Sequence, residues 1–186
     1  MTDSSNFSDS SVIMILSIIT FTILLFAFLY YFFMRNLSSK ECKQMDTLYS
    51  ELNGHIRSIT ASDPKCGYQL RDYYIKSSYN SCSGGSYKND FVEVCVVKDL
   101  LKQGVRGLDF EIYSIDDQPV VATSTVDDYH IKETYNYVPF AEVMSVIRDY
   151  AFATSTAPNS NDPIILHLRI KSTNQTMYKN FAKLLE

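Results

Sequence analysis

Gly104-Val105-Arg106-Gly107-Leu108-Asp109-Phe110-Glu111 decides how this chain is read. Side chains two apart in an extended run point the same way, so Asp109 and Glu111 share one face of a strand over Gly107 to Ile112. A carboxylate pair at a strand end is a ready place for a cation.

Working outward, Phe91, Val92, Val96, Leu100 and Leu101 mark the buried stripe of a helix ending near Gly104. Before it lie a strand at Tyr73 to Ser77 and a loop, Ser81 to Asn89, with Gly84-Gly85. After the carboxylates, Asp116-Asp117 turns into a short strand at Pro119 to Thr123. Phe140, Val143, Met144, Ile147 and Ala151 fall on one side of a helix. A loop at Ala157 to Asp162 leads to an apolar strand, Ile164 to Leu168, and Asn174 to Glu186 predicts a last helix. Strands alternating with helices predict a parallel α/β arrangement.

The other end of the chain differs in kind. Val12 to Met34 is 23 residues without a charge. As a helix it extends roughly 35 Å, enough for a hydrocarbon core of about 30 Å. A cleaved leader fits poorly: the preceding residues carry Asp3 and Asp9 but no Lys or Arg, and the run ends in Tyr30-Tyr31-Phe32-Phe33 rather than in small residues. Tyr30 and Tyr31 suit a membrane interface, and Arg35, Lys40 and Lys43 follow the span. The positive-inside rule then puts the N-terminus outside and the main domain on the cytoplasmic side. The expected organisation is an extracytoplasmic tail (1–11), a transmembrane helix (12–34), a helical connector (35–69) and a globular part (70–186). In the connector, Met45, Leu48, Tyr49, Leu52, Ile56 and Ile59 recur at helical spacing, with Ser39 as N-cap and Gly54 as a weak point. Sequons stand at Asn6, Asn36 and Asn174.

A formal net charge of −4 argues against a nucleic-acid partner. Cys42, Cys66, Cys82 and Cys95 form no CxxC, which argues against a zinc site. Free or buried thiols are the expectation, with a Cys66–Cys82 bond the alternative in an oxidising compartment.

Five blocks, in order, resemble the X half of phosphoinositide-specific phospholipase C. They are Tyr73-Tyr74-Ile75-Lys76-Ser77-Ser78-Tyr79-Asn80, Leu100 to Glu111, Asp117-Gln118-Pro119-Val120-Val121, Phe140 to Ser155, and Pro163-Ile164-Ile165-Leu166-His167-Leu168-Arg169-Ile170. Each is weak alone; five collinear blocks over about residues 70–186 are specific. The resemblance implies a half of a distorted TIM barrel, about four βα units and possibly truncated, behind a single transmembrane helix. Half a barrel leaves open sheet edges, so a second half-barrel or a protein partner is expected beside the lipid bilayer.

The family's chemistry uses two histidines for proton transfer and phosphate charge, and an Asn, a Glu, an Asp and a further Glu for calcium. On this chain the first histidine position holds Tyr79 and the second Thr123. A phenol near pKa 10 is a poor base at neutral pH, and a hydroxyl has no useful proton affinity. The ligand positions hold Asn80, Asp109 and Glu111, the remnant of a metal site, and Arg169 where the last Glu would stand. Arg169 would then take the charge slot of the calcium, leaving no cofactor, with Ca2+ the requirement only if the site still works. His167, two residues before Arg169, is expected to face the same side as a packed, hydrogen-bonded residue. His130 is expected in a solvated loop, His55 as structural and Tyr79 as a packed aromatic. These substitutions point away from an enzyme, towards a structural or interaction role at a membrane. An active phosphodiesterase or a non-hydrolysing headgroup binder is the alternative. An Asn/Ile/Ser/Tyr-rich composition suits an AT-rich genome, and a large DNA virus with a membrane beneath its capsid is one such setting.

Overall fold

Gly107–Ile115 forms the central strand β1, buried from Gly107 to Tyr113. Leu108, Phe110 and Ile112 enter the main core with the helices; Tyr113 packs on the opposite side with Val120 and Ala122. The period of two thus puts Asp109 and Glu111 on the face away from the helices. This computed structural model describes residues 9–85, 90–126, 128–132 and 134–186. The Asn6 sequon, most of the N-terminal tail, the end of the Ser81–Asn89 loop and Asp127 lie outside the described residues.

The chain divides into two units, Met1–Ser39 and Lys40–Glu186. Helix α1, Asp9–Leu48, supplies the first and enters the second. Its side chains from Val12 to Phe33 are apolar and exposed almost without interruption, and by length and composition it can cross a membrane. Ser39 is no N-cap, since it sits inside this helix and donates to the Asn36 carbonyl.

In the second unit, α2 (Val94–Lys102), β1, β2 (Gln118–Ala122), β3 (Val138–Pro139), α3 (Phe140–Tyr150), β4 (Ile165–Lys171) and α4 (Gln175–Lys183) follow in order. The sheet order is β3-β2-β1-β4. β4 runs parallel to β1, whereas β2 is antiparallel to β1 and β3 to β2. The sheet is therefore mixed, which corrects the all-parallel expectation. The cause is the turn at Asp116 and Asp117, both at positive φ (48° and 62°). Two left-handed residues close a tight hairpin, which can only be antiparallel.

The α3 stripe behaves as its spacing predicts, whereas α2 begins only at Val94, so Phe91 and Val92 precede it and Leu100 is half-buried. Val96, Val97 and Leu101 of α2 and Val143 and Ile147 of α3 share one core with Met177 and Phe181 of α4. The Phe140 and Phe181 rings lie 4.9 Å apart. Gly104, at φ +75°, turns the chain out of α2 against Ile56. Arg106 is buried, and donates to the carbonyls of Ala151 (2.8 Å) and Asn159.

Other expectations need correction. The connector is not helical past Leu48; residues 49–59 run without helix, because Asn53 and Gly54 sit in a turn there. Tyr73–Ser77 is not a strand: a short 3-10 turn, Leu70–Asp72, precedes it and only Ser77 bridges to Gly107. That contact needs Gly107, since a Cβ there would strike Ser77. Cys66 is exposed and Cys82 buried, with no bond between them. Cys42 is joined to Cys95 instead, across a Cα–Cα distance of 5.8 Å.

Candidate functional site

Parallel register sets His167 beside Asp109 and Arg169 beside Glu111, with their side chains on the same face. The loop that precedes α2 brings in the third contributor. Asn80 takes a positive φ (47°), which Asn tolerates better than most residues, and its N–H donates to Asp109 Oδ1 at 3.1 Å. Ser81 anchors the loop: its Oγ accepts from Asp109 N (2.9 Å) and its N–H donates to the Asp109 carbonyl (2.8 Å).

Arg169 fills the space between these groups. Nη2 donates to Asp109 Oδ1 (2.6 Å), Nε to Asp109 Oδ2 (3.1 Å), and Nη1 to Glu111 Oε1 (2.5 Å). Nη2 also reaches Asn80 Oδ1. The remaining carboxylate oxygen, Glu111 Oε2, accepts from the Tyr113 hydroxyl (2.8 Å) and Ser124 N–H (3.1 Å). Both carboxylates are buried. Burial alone would raise the Asp109 carboxyl, but Arg169, the Asn80 N–H and His167 together hold it below the usual Asp range. Burial works against the Arg169 charge, and Asp109 and Glu111 outweigh it, so its affinity for the proton rises. Burial and the neighbouring Glu111 push the Tyr113 phenol up.

Calcium asks for six to eight free oxygens around the ion. Here every oxygen of Asp109 and Glu111, and Asn80 Oδ1, already accepts from the protein, and a guanidinium lies among them. The donor set as arranged does not fit a calcium ion.

The two positions expected to carry histidines lie apart in character. Tyr79 is 60 % exposed, not a packed aromatic as expected; its ring sits under the Arg169 guanidinium at 4.5 Å from the centroid. Thr123 is 1 % exposed, and its hydroxyl has no hydrogen-bond partner among the described residues. His167 does hydrogen-bond, Nδ1 to Asp109 Oδ2 at 2.5 Å, but its side chain is 70 % exposed and so is not packed as expected. Sequence reasoning missed the Tyr113 and Ser124 contacts to Glu111. Tyr113 was within reach of the same strand periodicity, two residues past Glu111.

The family described as phosphatidylinositol-specific phospholipase C, X domain, matches residues 67–186. The chain belongs to this family. Among solved structures the X domain is similar to S. officinalis PLC21, with 22% identity, a TM-score of 0.50, and coverage of 63% of this chain and 13% of that one. It is similar also to L. pealei PLC21, with 19% identity, a TM-score of 0.48, and coverage of 63% and 14%. The chain thus spans only a small part of those proteins. No curated protein matches it.

Proposed function

We propose that this chain is a membrane-anchored, catalytically inactive X-domain protein with a structural or interaction role at a membrane. One observation carries the reading: the Arg169 guanidinium is bonded to Asp109, Glu111 and Asn80, the positions that correspond to the family's metal ligands. On this reading the three are the remnant of a calcium site, Arg169 is the charge that replaced the ion, and no cofactor is required. Tyr79 and Thr123 stand where the proton-transferring histidines would be. A phenol and an aliphatic hydroxyl are both poor substitutes for imidazole in proton transfer at neutral pH.

The apolar helix is the anchor, and the basic residues Arg35, Lys40 and Lys43 hold the domain on the cytoplasmic side. The X domain is then half of a TIM-like barrel. β4 ends the sheet at one side, and a second half-barrel or a protein partner would cover it. A membrane lying under a protein layer, as in a virion, is a setting in which such a platform would serve.

The test is phosphatidylinositol hydrolysis by the purified full chain in detergent micelles, with calcium and with chelator. No turnover in either condition is expected. Turnover lost in Arg169→Ala would overturn the reading. One observation favours the alternative of an active phosphodiesterase: His167 is exposed and held by Asp109, as an oriented base would be. Turnover that falls at least a hundredfold in His167→Ala would establish that alternative.

A further inference from the structure

Past residue 40, helix α1 buries little of itself. Glu41 is buried and Cys42 and Met45 are half-buried, while Lys43, Gln44, Asp46, Thr47 and Leu48 are exposed. Among the described residues, three attachments stand out. Cys42 is bonded to Cys95 in the first turn of α2. Asp46 accepts from Lys102, in the last turn of α2, at 3.3 Å. Glu41 Oε2 accepts from the Gly84 N–H at 3.3 Å, and its carboxyl also hydrogen-bonds with Asp90.

Gly84 lies three residues past Ser81, in the loop that carries Tyr79, Asn80 and Ser81 to the Arg169 cluster. A Cβ at Gly85, the next residue, would strike the Glu41 carboxyl, so loop and helix meet at close range. The covalent bond at Cys42 therefore stands next in sequence to the side chain that touches the site loop.

We propose that Cys42–Cys95 is a redox-responsive clasp. Oxidised, it seats residues 40–48 on α2 and, through Glu41, steadies residues 82–85, just past the part of the loop that Ser78, Asn80 and Ser81 pin to β1. Reduced, it releases both while the sheet stays folded. Closing takes two electrons and two protons from the two thiols. Glutathione disulfide accepts them through a mixed disulfide and leaves as two glutathione molecules; opening is the reverse. Disulfides that face the cytosol are mostly transient and sensing rather than permanent. The sensing role rests on the orientation proposed above; the clasp itself does not, and it is independent of whether the site turns over lipid.

The experiment uses the full chain in detergent micelles, equilibrated with glutathione and its disulfide in varied ratio. Differential alkylation with mass spectrometry reads the two cysteines, and amide hydrogen exchange reads the backbone. Reduction by excess glutathione is expected to open the bond and raise exchange in 41–48 and 82–85 about thirtyfold, the lower end of the range typical of a native disulfide. β1 and β4 should keep their protection. Cys42→Ser should show the same pattern without reductant. A bond that resists excess glutathione, or exchange that stays unchanged in both segments, would overturn the proposal. So would a rise confined to 41–48, or one that spreads through β1 and β4.

Discussion

Arg169 grips Asp109 with two nitrogens on two oxygens, Nη2 to Oδ1 at 2.6 Å and Nε to Oδ2 at 3.1 Å. Such a fork is stronger than a single contact and fixes the plane of both groups. Removing it leaves Asp109 and Glu111 buried side by side without a counter-charge. Arg169→Ala should therefore lose roughly 3–5 kcal/mol of stability. Arg169→Lys should lose less, keeping the charge without the fork. Urea titration followed by far-ultraviolet circular dichroism reads both. A change under 1 kcal/mol in Arg169→Ala would mean the cluster is not a structural unit.

Calcium should leave the melting temperature of the native chain unchanged. Arg169→Glu puts a third carboxylate beside two others, so without calcium it should melt below Arg169→Ala. With calcium at about a hundred times the dissociation constant it should recover roughly 2.7 kcal/mol. Scanning calorimetry with calcium and with chelator distinguishes the cases. Failure of Arg169→Glu to respond would show that the cluster cannot be returned to a metal site by charge alone.

Glu41 should make the domain less stable as pH rises. Burial first, then the hydrogen bond and charge of Asp90, with Glu93 adding, push its carboxyl up from 4.5 to about 8, against the lowering effect of the Gly84 N–H. The folded state therefore holds a proton that the unfolded chain gives up. The Glu41 contribution is complete below about pH 4.5 and is lost progressively as pH climbs through 8. Asp109 acts in the opposite sense at lower pH: its depressed carboxyl stabilises above the ordinary Asp range and is lost on acidification. Glu41→Gln should flatten the upper slope and leave the acid limb in place. Urea midpoints between pH 5 and 9 measure it, and an unchanged slope in Glu41→Gln would reject the assignment.

Asn174 caps α4, its Oδ1 accepting from Thr176 N (2.9 Å) and Met177 N (3.1 Å), while Nδ2 donates to Ser114 and Asp117. Asn174→Ala should lose about 1–2 kcal/mol, more than Asn174→Asp, which keeps the cap.

Much of the fold was legible because burial leaves a period. Val96 to Leu101 and Phe140 to Ile147 repeat as helices do, and Leu108, Phe110 and Ile112 alternate around the two carboxylates. The hairpin was legible too, in principle: only Asp116 and Asp117 separate β1 from β2, too few residues for a parallel crossover. The connector misled because Met45 to Ile59 keeps helical spacing across Asn53 and Gly54, where local turn preference wins over a stripe with little to pack on. The contact of Arg169 with Asp109 was expected from the family resemblance, which sets Arg169 at the last ligand position beside Asp109 and Glu111. The exposure of His167 was not, because it depends on what lies beyond β4, the last strand of the sheet. The Cys42–Cys95 bond spans 53 residues and carries no local motif that could announce it.

The positive charge that answers Asp109 and Glu111 is bonded into the backbone at residue 169. A dissolved ion has an off-rate, competes with other ions and vanishes into a chelator; this one has none of those properties. Its local concentration does not follow the medium, and its guanidinium stays protonated across the physiological range. The cluster is therefore loaded at the moment of synthesis and keeps one charge composition for the life of the molecule.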